Sequence, residues 1–192
     1  MTRRRKTVKR FPLLLYRAVA RRWRGAAFWL MPAGAALWYA LRYGDPPAPE
    51  LSWCGAVVGG IGALLWLYTR LLRRAAVLCT PKGILVRTPL YTLGISYRRV
   101  EAIRPTTFAS LYPAQAEKAA RRRLYAGIWG KTAIVVDLKS YPLPEKTLRL
   151  WVPRYLFLPN GRGFVFVVED WMGLSRCLDT YRNAYLMRRS RR

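Results

Sequence analysis

The sequence predicts an α+β membrane protein, a transmembrane helical hairpin followed by an antiparallel β-sheet or barrel that a C-terminal α-helix closes. Three observations predict it. Two uncharged apolar runs near the N-terminus are separated only by a proline-rich turn; the chain beyond them breaks into short apolar runs with turn residues between; and its last part carries apolar residues three and four apart.

Residues 25–41, GAAFWLMPAGAALWYAL, form an uncharged run of about 17 residues, near the lower limit for crossing about 30 Å of hydrocarbon. Trp23 and Tyr43 suit the two interfaces, Arg24 and Arg42 can extend their charged heads outward, and Pro32 predicts a kink. Residues 51–69, LSWCGAVVGGIGALLWLYT, are the stronger span, with about 19 uncharged residues and with Trp53, Trp66 and Tyr68 towards the ends. The intervening RYGDPPAPE cannot continue a helix. An antiparallel hairpin is therefore expected. Gly55 and Gly59 form a GxxxG pair, Ala56 and Gly60 repeat it one residue on, and Ala36 and Ala40 are their counterparts in the first span. Such residues permit close helix contact within one chain or between copies in a homo-oligomer, and packing of the chain's own spans is the expected use.

Orientation follows from the basic flanks. Arg3, Arg4, Arg5, Lys6, Lys9, Arg10, Arg17, Arg21, Arg22 and Arg24 precede the first span and Arg70, Arg73 and Arg74 follow the second, whereas the turn offers Arg42 against Asp45 and Glu50. Lys and Arg in short flanks stay on the cytoplasmic side, so both termini are expected inside an inner cell membrane, with these flanks against its anionic leaflet. Within the arm, residues 12–23 read as an interfacial helix opened by Pro12, with Leu15, Val19 and Trp23 on one face. A secretory signal is the poorer reading, because Arg17 interrupts an already short apolar core.

From residue 75 the pattern changes. AAVLCT and ILVRTPLY flank a turn at Pro81-Lys82-Gly83, ISYRRVEAI reads as one further strand, and KTAIVVDLK, LRLWV and GFVFVVE read as three more. Trp171, Leu174, Leu178, Tyr181 and Tyr185 then mark an amphipathic helix, with Glu169 and Asp170 at its start and Arg188 and Arg189 at its finish, as the helix dipole favours. The expected organisation is a basic arm over 1–24, a hairpin over 25–74, a sheet domain over 75–187 and a basic tail over 188–192.

LCTPKGILVR at residues 78–87 and ISYRRVEAI at 95–103 resemble the x-L-T-x-x-G-(I/L)-x-(I/V)-R hairpin and the following I-P-(Y/L)-x-x-I-x-x-(I/V) strand of bacterial pleckstrin-homology-like (PH-like) domains, a family found behind paired membrane spans. The resemblance covers about thirty residues and implies a PH-like sheet or barrel with a binding role. Ser96 stands where proline is frequent in that family. Residues 108–130 depart from it further, and a short helix carrying Arg121, Arg122 and Arg123 is expected there, projecting from the sheet or lying along the membrane.

The absence of histidine removes His-based general bases, nucleophile systems and the commonest metal ligand. Cys54, Cys79 and Cys177 lack metal or redox spacing and read as free thiols. Glu169 and Asp170 suit a helix start, Glu101 and Asp137 suit ion pairs with arginine, and Asn160-Gly161-Arg162-Gly163 is a turn, not a phosphate loop. No enzyme, metal or cofactor is expected. A net charge of +26 favours a polyanionic neighbour. No nucleic-acid motif accompanies it, and an anionic leaflet accounts for it at about 1 kcal/mol per Lys or Arg. Arg98, Arg99, Arg121, Arg122 and Arg123 are then the candidate lipid or protein-partner contacts on the sheet domain. The expected function is a nonenzymatic membrane-anchored module that binds protein partners or anionic headgroups; the other reading is an accessory subunit of a larger membrane complex assembled through its spans.

Overall fold

A computed structural model describes residues 9–44 and 47–190. The protein is α+β, with antiparallel sheets and a C-terminal helix. In chain order its elements are β1 (Arg10–Pro12), α1 (Leu14–Tyr43), α2 (Ser52–Leu72), β2 (Ala76–Thr80), β3 (Gly83–Arg87), β4 (Thr92–Ile95), β5 (Val100–Thr107), α3 (Phe108–Leu111), α4 (Ala119–Leu124), β6 (Thr132–Leu138), α5 (Glu145–Trp151), β7 (Gly163–Val167) and α6 (Trp171–Ser190). They fall into two compact units, a helical one over Tyr16–Arg73 and a sheet unit made of the residues on either side of it.

In the helical unit α1 and α2 pack antiparallel through glycine. A methyl group at Gly34 would lie 2.6 Å from Gly59 Cα and 2.8 Å from the Gly55 carbonyl oxygen; one at Gly55 would lie 2.7 Å from Trp38 Cβ, and one at Gly62 would lie 2.9 Å from the Met31 nitrogen. The contact thus descends α1 as it ascends α2, at the spacing of one helical face. Ala36 and Ala40, the small residues expected to serve on α1, are exposed; Gly34 makes the contact because it lies four residues from both Leu30 and Trp38. Gly60 has open space around it.

The side chains of this unit are distributed inside out. The buried residues of α2 are Ser52, Gly55, Gly62, Thr69 and Leu72, while Phe28, Trp29, Trp53, Ile61 and Leu64 are exposed. Ser52 and Thr69 donate their hydroxyls to the carbonyls of Pro49 (2.7 Å) and Trp66 (2.8 Å), which removes the cost of burying them. Among the described residues one helix, Pro49–Leu72, is long and apolar enough to cross a membrane. The interfacial helix expected over 12–23 and the first span expected over 25–41 are a single 30-residue helix, since Gly25 weakens the hydrogen-bond ladder without breaking it.

Pro12 does not open that helix, because Arg10–Pro12 is a strand. Phe11 lies opposite Val77 of β2, and Phe11 and Leu13 are 1% and 0% exposed. Burial of these two side chains, invisible to a count of basic residues, draws the end of the arm into the sheet. The strand orders are β1-β2-β3-β4 and β5-β6-β7, all antiparallel. Leu13 also bridges Val168 just beyond β7, so the start of the chain links the two sheets. The core between them is apolar, with Ile84, Ile95, Ile134, Phe164, Phe166 and, from α6, Leu174 and Leu178.

Three local expectations change. ISYRRVEAI is divided between the sheets: the Ser96 hydroxyl accepts the Arg98 N–H (3.4 Å) and caps a 3-10 turn over Tyr97–Arg99 between β4 and β5. LRLWV is mostly helical, within α5, where Pro144 precedes the first turn, Glu145 pairs with Arg149 (2.6 Å) and Leu148 alone is buried. The 108–130 segment is docked, not projecting: Phe108, Tyr112, Tyr125 and Ile128 are buried, and the Tyr112 hydroxyl donates to the Phe157 carbonyl (2.5 Å), with burial pushing its pKa up to about 12. At the start of α6, Asp170 accepts the Gly173 N–H (2.8 Å) and pairs with Lys9 (2.9 Å), both of which hold its carboxyl below the usual range. The helix continues to Ser190, so the basic tail expected from residue 188 is helical through the described residues.

Two outcomes follow for stability. A chain in which a short Gly/Ser linker replaces Tyr16–Arg73 keeps β1 and should unfold cooperatively in chemical denaturation, whereas residues 74–192 alone forfeit Phe11 and Leu13, about 1.5–3 kcal/mol each, and should not. In detergent, Gly34→Leu should destabilise the helical pair by about 1–3 kcal/mol or more because it meets backbone, while Gly60→Leu should be neutral, as read from unfolding in a denaturing detergent.

Candidate anion site at one end of the helical pair

Arg17, Arg21 and Arg24 are spaced at i, i+4 and i+7, which puts their side chains along one face of α1. Arg73 is the residue at the C-terminal cap of α2. The antiparallel register fixed by Gly34, Gly55 and Gly62 brings the end of α2 back to the beginning of α1, and the four arginines line one cleft of about 340 Å³. Like charges four residues apart on a helix oppose one another by about 0.2–0.5 kcal/mol, so this grouping is not explained by helix stability. A guanidinium presents a planar fork of donors that matches two oxygens of a phosphate. Such a cleft can accept anionic oxygen.

No family model matches the sequence, and neither a curated protein nor a solved structure is similar to it at a significant level.

The remaining basic candidates are dispersed. Arg3, Arg4, Arg5 and Lys6 lie outside the described residues. Lys9 is engaged with Asp170 and lies 5.1 Å from the Phe11 ring centroid, while Arg10 is an exposed residue of β1. Arg22 is exposed on α1, Arg70 stacks over Trp66 at 4.4 Å from the ring centroid, and Arg74 is exposed just before β2. Arg121, Arg122 and Arg123 are exposed on α4, the first of them paired with Glu117 at 3.5 Å. Arg98 is exposed.

Arg99 serves another purpose. It donates to the Tyr141 carbonyl (2.6 Å) at the edge of a second cavity of about 410 Å³, which Arg162 and the loop from Ser140 to Glu145 also line. Glu145 there is held by Arg149, and the Tyr141 hydroxyl accepts the Gly163 N–H (3.2 Å). These bonds brace a loop and leave Arg162 as its cation. Asp137 pairs with Arg104 (2.9 Å), as suits an isolated acid in a basic protein. Burial, with Cys177 of α6 nearby, pushes the thiol of Cys79 on β2 well above the ordinary range, away from thiolate chemistry.

The sequence signal for the cleft is the 17-21-24 spacing itself. Arg17 belongs to the basic arm by composition, yet only its place in the helical period joins it to Arg21 and Arg24. Arg73 has no such signal, because its partnership depends on the register of two helices.

Proposed function

We propose that the chain is a nonenzymatic membrane-anchored module: α1 and α2 cross an inner membrane as a hairpin, both termini are cytoplasmic, and the sheet unit is a PH-like domain that works at the inner leaflet on anionic headgroups or a protein partner. One observation carries the membrane reading. A helical pair that buries Gly, Ser and Thr and turns Phe28, Trp29, Ile61 and Leu64 outward has the distribution expected of hydrocarbon surroundings and opposed to that of a water-soluble core. The apolar middle of α1 is short, and Arg24 and Arg42 at its ends can reach the interfaces without leaving the helix. A four-stranded and a three-stranded antiparallel sheet followed by α6 support the PH-like reading, together with the two motif segments.

A second reading, an accessory subunit assembled through its spans, is favoured by Ala56 and Gly60, which lie four residues apart and are exposed after the chain's own helices have packed. Copurification separates the two: Gly60→Leu should strip partners from an accessory subunit and leave partners of the sheet unit in place.

In native membranes the protein should stay in the pellet through alkaline carbonate extraction and should dissolve only with detergent. Protease added outside intact cells should leave the C-terminal helix whole. Release by carbonate, or digestion of α6 from outside, rejects the proposal.

A further inference from the structure

We infer that the edge of the sheet unit formed by Leu143 and α5 docks on an anionic membrane surface, with Leu143, Leu150 and Trp151 entering the interface and Lys146 and Arg162 meeting lipid phosphates. The inference rests on the inner-membrane reading above and names the part of the sheet unit that meets the leaflet.

α5 is held on the sheet unit by Leu148 and Val152, four residues apart and 1% and 2% exposed, so its opposite side is turned to solvent. Lys146 and Leu150, also four apart, occupy that side. Leu150 is 79% exposed, more than any other large apolar side chain among the described residues, those of the helical pair included. Trp151 follows it at 49%, and Leu143, just before Pro144, is exposed and lines the cavity of about 410 Å³ together with Arg162 and Glu145. An isolated exposed leucine is ordinary on a protein surface. Two leucines and a tryptophan around one short helix make an apolar patch that calls for a covering surface.

Charge selects the occupant. From residue 139 to residue 162 the cations are Lys139, Lys146, Arg149, Arg154 and Arg162, and the one acid is Glu145, which Arg149 already neutralises at 2.6 Å. Lys146 and Arg162 make no ion pair among the described residues. Protein interfaces are poor in lysine, whereas Trp and Leu flanked by Lys and Arg compose a segment that lies in a membrane interface, its apolar side chains below the phosphates and its cations level with them. The long stems of Lys and Arg can follow apolar surface while their heads stay at the phosphates. α4 is as basic, but no large apolar side chain is exposed on it, so attraction alone would hold it at the surface without entry.

The test places the full chain, one copy per lipid disc, in phosphatidylcholine alone or mixed with phosphatidylglycerol. A spin label is attached to Leu150→Cys in a chain that also carries Cys54→Ala and Cys177→Ala; Cys79, 1% exposed, is shielded from the reagent. With phosphatidylglycerol, the label should become more accessible to oxygen and less accessible to a water-soluble nickel chelate, while a label at Lys82→Cys, exposed on the same unit, should stay in water. Adding Lys146→Gln and Arg162→Gln should lower the ratio of docked to free label by about tenfold or more, at about fivefold per cation, with the unfolding midpoint unchanged. Equal access in the two lipids overturns the inference, as does a docked label that survives loss of both cations. A label protected only when two copies share a disc assigns the face to a second copy and overturns it too. Those results leave carbonate-resistant anchoring intact, whereas a chain that dissolves without detergent removes the anchor itself.

Discussion

Backbone contact between α1 and α2 at Gly34, Gly55 and Gly62 is the constraint on which the helical unit depends. Residues of any other type hold helices further apart, and a bulky apolar seam would leave fewer large side chains on the outside. Glycine reverses that arrangement. The two helices approach until main chain meets main chain, and most of the large apolar side chains are displaced outward. In water that distribution has no driving force, because the surface most unfavourable to hydration remains hydrated. In hydrocarbon the outward residues cost nothing, and close packing with satisfied hydroxyls at Ser52 and Thr69 supplies the cohesion.

The same register sets the electrostatics. Antiparallel packing returns Arg73 to the end of the pair where Arg17, Arg21 and Arg24 begin it, while the opposite end, in the described residues, holds Arg42 and Glu50. Charge segregation along the sequence thereby becomes charge segregation along an axis. Cations collected in one cleft repel one another, and an anion placed among them relieves that repulsion.

How much of this was legible in the sequence varies with the range of the interaction that decides it. The helices on either side of the proline-rich turn, the hairpin around Pro81-Lys82-Gly83, β6, β7 and α6 follow from local period and turn residues, and they stand in the structure. LRLWV misleads because its alternation is that of a strand, whereas Pro144 and the Glu145–Arg149 pair favour a helical turn, and the two residues with a core to enter, Leu148 and Val152, are four apart. Arg10–Pro12 misleads for the opposite reason: three residues beside a basic run carry no period, and their pairing partner lies beyond both helices. Gly34 hides in plain view, since alanines at the favoured spacing stand next to it and only the facing helix distinguishes them. The cleft was half legible, with three arginines on one helical face and the fourth supplied by tertiary register.

The pairing of β1 with β2 gives the helical pair a role in building the sheet unit. Leu13 donates its N–H to the Ala75 carbonyl (3.2 Å), so a strand contact closes across about 60 intervening residues. For a flexible chain that closure costs about 3–4 kcal/mol of entropy, a large part of the stability of a small domain. An antiparallel helical pair removes most of it, because formation of α1 and α2 has already brought the beginning and end of the segment to the same end of one unit. Formation of the helical pair and completion of the sheet are therefore coupled, each favouring the other. Glycine contacts that seem to concern the helices alone lower the entropic cost of closing β1 onto β2, with Phe11 and Leu13 then buried as its anchor.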